Sequence, residues 1–88
     1  MKQTFSRRDI LKGSSALVVG SAPQYPPGVI DPIPELGQLA LKHGIGLHVD
    51  GCLGGFVLAW ARDCGYEHTP FDLSVPGVTS ISADTHKY

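Results

Sequence analysis

The stretch Ile45-Gly46-Leu47-His48-Val49-Asp50-Gly51-Cys52-Leu53-Gly54-Gly55-Phe56 decides the fold. Ile45 to Val49 is short and aliphatic, and it predicts a strand that ends at Asp50. Gly51 to Gly55 is a glycine-rich turn. Phe56 to Cys64 is apolar with late charges and predicts a helix stopped at Gly65. Upstream, Asp31-Pro32-Ile33-Pro34-Glu35 reads as a helix start, with Asp31 as the cap, proline in the first turn and Glu35 at the positive end of the dipole. Ile33, Leu36, Leu39 and Ala40 share one face at helical spacing. Lys42-His43-Gly44 marks the end of that helix. Before it, Gln24-Tyr25-Pro26-Pro27-Gly28 is a loop, and Ala16 to Ser21 reads as a buried parallel strand. Downstream, Tyr66 to Pro76 is irregular and Val78 to Ser82 is a β-branched strand.

Strand, helix, strand, helix, strand is the order that produces a parallel α/β sheet with right-handed crossovers. Ligands in such sheets bind outside the carboxyl ends of the strands. Asp50 and the segment Asp84-Thr85-His86-Lys87 both fall there. His48 and Asp50 stand two apart on one strand and therefore face the same way.

The bulk properties narrow the function. The chain has 88 residues, enough for one small domain, and 42% of them are hydrophobic. A net charge of -1 gives no electrostatic case for nucleic acid as a partner. No apolar run approaches the ~20 residues of a membrane span. Cys52 and Cys64 form no C-x-x-C pair and read as two reduced thiols, although their spacing leaves a disulfide open. His43, His48, His68 and His86 lack ligand spacing, so no metal site is expected.

Residues 1–22 carry two competing readings. Ser6-Arg7-Arg8-Asp9-Ile10-Leu11-Lys12 resembles the twin-arginine export signal, followed by the apolar Ala16-Leu17-Val18-Val19 and small residues at Gly20 and Ala22. The same apolar residues also suit the first strand of the sheet, which cleavage after Ala22 would remove. The first reading implies the periplasm, and the second leaves location undetermined.

Three blocks resemble the sphingosine-1-phosphate lyases. Leu47 to Phe56 is similar to their H-V-D-x-C-L-G-G-F segment, and Ser80 to Tyr88 to their S-x-S-A-D-T-H-K-Y segment. Pro23 to Pro32 is similar to the loop after the preceding strand. The resemblance runs from about Ala16 to Tyr88. It implies that residues 16–88 are a fragment of the parallel-sheet large domain of a fold type I, pyridoxal-phosphate-dependent enzyme. The reaction implied is cleavage of a phosphorylated long-chain base into a fatty aldehyde and phosphoethanolamine. The parent enzyme would be a cytoplasmic homodimer acting on a small-molecule or lipid-phosphate substrate.

The resemblance also implies roles for single residues. Lys87 would bond covalently to the cofactor aldehyde, which requires that its site lower its pKa or remove its proton. Asp50 would face the pyridine nitrogen. His86 would contact the cofactor phosphate, Cys52 would pack near the ring, and His48 would lie on the same side as Asp50. Thr85 and Ser82 would add hydroxyl donors, although a plain strand-end role is the first reading of each. Residue by residue, plainer readings stand beside these. Lys87 also reads as a solvated charge, Asp50 as a helix cap, and His48 as a histidine bonded within the sheet. Gly54 and Gly55 read as allowing a tight turn and close packing.

Two alternatives remain at this stage. One is a group II amino-acid decarboxylase, a carboxy-lyase, although Cys52-Leu53-Gly54-Gly55 departs from the A-A-W-G-G typical of those enzymes. The other is an inactive or exported remnant with no catalytic role.

Overall fold

A computed structural model describes residues 16–87. The described elements are β1 (Leu17–Ser21), α1 (Ile33–His43), β2 (Gly46–Asp50), α2 (Val57–Asp63) and β3 (Ser80–Ser82), followed by a 3-10 turn at Thr85–Lys87. The three strands form one parallel sheet in the order β1-β2-β3. The α/β architecture expected from the alternation of elements is therefore the observed one.

Register explains which residues meet. Val19 pairs with His48, which pairs with Ser80, and Ser21 pairs with Asp50, which pairs with Ser82. Paired residues on neighbouring strands point to the same side, so the sheet has two unlike faces. One carries Val18, Leu47, Val49 and Ile81, and α1 covers it through Ile33 and Ala40. Ile33, Leu47 and Val49 are fully buried there, each contributing roughly 1.5–3 kcal/mol. Phe71, Val75 and Val78 from the segment before β3 close the rest of this core.

The opposite face carries Leu17, Val19, His48 and Ser80. Leu17 is 56% exposed and Val19 58%. The expectation that Ala16 to Ser21 is a buried strand is thus half right. The strand forms, but it lies at one side of the three described strands, and α1 packs against only one face of it.

Helix α1 ends as its sequence suggests, with Gly44 at φ +63° satisfying the last carbonyls and Lys42 and His43 in the final turn. Its start differs from expectation. The N-cap position is Pro32 and no side chain caps the helix. Pro32 and Pro34 have no N–H, so fewer orphan donors await a cap. Asp31 instead turns back to the loop. Its Oδ2 accepts from the Ser21 N–H at 2.7 Å, and its Oδ1 accepts from the Gln24 side-chain amide.

The last strand is shorter than Val78 to Ser82. At Thr79 the side-chain hydroxyl takes the place of a backbone rung, accepting from the Leu47 N–H at 3.1 Å while the Thr79 N–H donates to the Leu47 carbonyl at 2.9 Å. Helix α2 spans nearly the expected range, from the N-cap Phe56 to the C-cap Cys64. None of its residues is buried, and Val57 and Trp60 are exposed.

Candidate active site at the carboxyl edge

Ser21, Asp50 and Ser82 end their strands side by side. The edge they form is extended by the Ala22 N–H, which donates to the Asp50 carbonyl at 2.9 Å. The turn after β2 folds back tightly onto this edge. A Cβ on Gly54 would lie 2.3 Å from the Ala22 carbonyl oxygen, and one on Gly55 would lie 2.5 Å from the Ala83 Cβ. Only glycine lets the turn approach both neighbouring strands this closely, as expected for these two positions.

Asp50 sits at the centre. Its Oδ1 accepts from the Cys52 N–H at 3.0 Å and from the Ser82 hydroxyl at 3.4 Å. Hydrogen bonding from the Cys52 side chain, then from the Cys52 backbone, lowers the Asp50 pKa, with smaller contributions from Ser82 and from the nearby His48. Burial opposes this and does not prevail, so Asp50 is held as a carboxylate. The bond to Cys52 spans two residues, as in an Asx turn, and α2 begins only at Val57, so Asp50 does not cap that helix.

Lys87 reaches the same place from β3. The 3-10 turn at Thr85–Lys87 brings its Nζ to 3.2 Å from Asp84 Oδ2. Hydrogen bonds to the Asp84 carboxylate first, and to the Cys52 side chain second, raise the Lys87 pKa above the ordinary lysine value. Of the two routes to a reactive amine, a lowered pKa or removal of the proton, the first is not what these neighbours favour. The side chain is only partly covered, at 34% exposure, so desolvation is weak and the neighbouring anion dominates.

Cys52 bears on both groups: its N–H donates to Asp50, and its side chain acts on the charge of Asp50 and of Lys87. Both cysteines are free thiols. His48 shares the sheet face of Asp50, as its spacing requires, and its Nδ1 is 2.7 Å from Ser80 Oγ. His86 is exposed on the 3-10 turn, with no hydrogen-bond partner among the described residues. Thr85 is exposed as well. The structure thus gathers Asp50, Cys52, Ser82 and Lys87 and leaves His86 apart. The sequence reading assigned no role to Asp84 or Ser80. An acid three residues before a lysine, and a serine in register with His48, are the signals that pointed to them. Among the described residues, no three His, Cys, Asp or Glu side chains gather to hold a metal ion.

Asp50 and Lys87 both fall at the carboxyl edge of a parallel α/β sheet, where such sheets bind ligands. The chain is similar to one segment of the sphingosine-1-phosphate lyases. Its sequence is 63% identical over 83 residues to the sphingosine-1-phosphate lyase of Arabidopsis thaliana, covering 94% of this chain and 15% of that protein. It is 55% identical over 89 aligned positions to sphingosine-1-phosphate lyase 1 of Rattus norvegicus, covering 100% of this chain and 15% of the relative. The similarity to the rat protein therefore extends beyond the blocks between Ala16 and Tyr88. The fold matches the solved sphingosine-1-phosphate lyase of Burkholderia pseudomallei with a TM-score of 0.77 and 48% identity, over 96% of this chain and 20% of that one. No family model matches. The chain spans about 15% of the length of the curated relatives it matches. The decarboxylase alternative draws no support from these relatives. The twin-arginine-like segment Ser6 to Lys12 lies outside the described residues.

Proposed function

We propose that this chain supplies the cofactor-bonding part of a pyridoxal-phosphate-dependent carbon–carbon lyase. The whole protein would cleave a phosphorylated long-chain base into a fatty aldehyde and phosphoethanolamine, working as a homodimer. The observation that carries this reading is the meeting of Asp50, Cys52 and Lys87 at one edge of the sheet, in a chain 48–63% identical to sphingosine-1-phosphate lyases.

The residues fit the cofactor. Pyridoxal phosphate supplies an electron-accepting ring whose capacity depends on a protonated ring nitrogen. An aspartate held ionised by Cys52 and Ser82 is the partner such a nitrogen needs. Lys87 offers the primary amine, Cys52 fills the space beside both groups, and His48 adds a polar group on the Asp50 face of the sheet. His86, exposed next to Lys87, is free to turn toward a phosphate.

The 88 residues by themselves are expected neither to hold the cofactor tightly nor to turn over, so the test is to incubate the whole protein with pyridoxal phosphate, reduce with borohydride and map the labelled peptide. The expected result is a reducible visible absorbance band and label at Lys87, absent in Lys87→Ala. Product analysis with a phosphorylated long-chain base should then give phosphoethanolamine. Carbon dioxide released from an amino acid, without phosphoethanolamine, would overturn the lyase reading.

A further inference from the structure

The ion pair between Asp84 and Lys87 is not used by the chemistry above. The two residues are three apart, and the 3-10 turn at Thr85–Lys87 places residues at this spacing on the same side. The Asp84 side chain is 29% exposed and that of Lys87 34%, so both are only partly covered and the pair is open to solvent. An amine attacks a carbonyl only through its unprotonated form. A carboxylate 3.2 Å away favours the protonated form and draws the nitrogen toward itself.

We propose that Asp84 is a positioning residue for Lys87, a counter-ion that holds the ammonium at the edge of the sheet until an aldehyde arrives. This deepens the reading of Lys87 as the cofactor-bonding lysine and rests on it. Before Lys87 reacts, its Nζ leaves Asp84 and gives one proton to solvent base, and the freed lone pair is then available for attack. Among the described residues, the other titratable group facing Lys87 is the Cys52 thiol, from the turn after β2. His86 is its neighbour in the chain.

Competitive acylation of the full chain with acetic anhydride across a pH series, read by peptide mass spectrometry, tests the proposal without the cofactor. Lys42, exposed at the end of α1, serves as the internal reference. Lys87 should acylate with a higher pH midpoint in the unaltered chain than in Asp84→Asn. Asp84→Asn should raise Lys87 acylation about two- to five-fold at a pH below the midpoint, the effect of losing one partly exposed ion pair. It should leave Lys42 unchanged, and Asp84→Glu should restore the original profile. An unchanged Lys87 profile in Asp84→Asn would overturn the proposal. Cofactor trapping at Lys87 is a separate readout. Its failure with a shifted acylation profile would sink the cofactor reading and leave the ion pair standing.

Discussion

Asp50 and Cys52 are joined by a 3.0 Å hydrogen bond from the Cys52 N–H to the Asp50 carboxylate, at the point where β2 gives way to the glycine turn. This bond makes the direction of the turn and the charge of the site interdependent. The carboxylate aims the backbone, and the backbone N–H keeps the carboxylate ionised.

The pH dependence of stability follows. The folded-state pKa of Asp50 is depressed, so its stabilising contribution is present above the unfolded aspartate value. It is lost as pH falls through the folded value. Asp50→Asn should therefore be less stable than the parent near neutrality, by about 1 kcal/mol. The difference should shrink on acidification below roughly pH 4. Urea melts at neutral and acid pH check this, and a pH-independent difference would contradict it.

Gly54→Ala should be severely destabilising. The added methyl would meet the Ala22 carbonyl oxygen at 2.3 Å and the Leu58 and Pro23 side chains at 2.7 Å, and overpacking of this kind costs about 1–3 kcal/mol or more. Gly28→Ala is the control. Its methyl meets nothing within 4 Å, and only the left-handed φ of +65° opposes it, at about 1–2 kcal/mol. Thermal melts should rank Gly54→Ala as the less stable variant and show it shifting Asp50-region signals in NMR spectra, which Gly28→Ala should leave in place.

Thr79→Val preserves shape but removes the oxygen that accepts from the Leu47 N–H. Leu47 is fully buried, and an unsatisfied donor there costs about 1–3 kcal/mol. Hydrogen exchange at the Leu47 amide should accelerate, while Thr79→Ser should retain protection.

The two faces of β1 and β2 should respond unequally to truncation. Val49→Ala opens a void in the covered core and should cost about 1–3 kcal/mol. Val19→Ala on the open face, where the side chain is 58% exposed, should cost about 0.5 kcal/mol or less. Equal costs by urea melt would mean that the open face is covered in solution.

Much of this was legible in the sequence because it depends on local rules. Gly44 stops α1, Gly54 and Gly55 allow the close turn, and the two-residue spacing puts His48 and Asp50 on one face. The rest depends on partners distant in sequence or on competition between them. Asp31 looks like a cap until Pro34 removes one donor it would serve, its own carbonyl takes the Ile33 N–H, and the Ser21 N–H, ten residues back, claims its carboxylate. Thr79 reads as strand because propensity does not reveal that its hydroxyl replaces a rung. The Lys87 environment could not be read from a motif, because its charge state depends on the helical turn that brings Asp84 back to it.

The register of the sheet has a further consequence. Leu47 and Val49 alternate with Gly46, His48 and Asp50 along β2, so sliding β2 by one residue would exchange the two sets. A carboxylate would then press on Ile33, and the aliphatic pair would face water. The greasy side of β2 thus acts as a ruler for its polar side, and a chain that aligns its core has already aligned Ser21, Asp50 and Ser82. Errors in the site are screened out during folding, before any ligand is present to detect them.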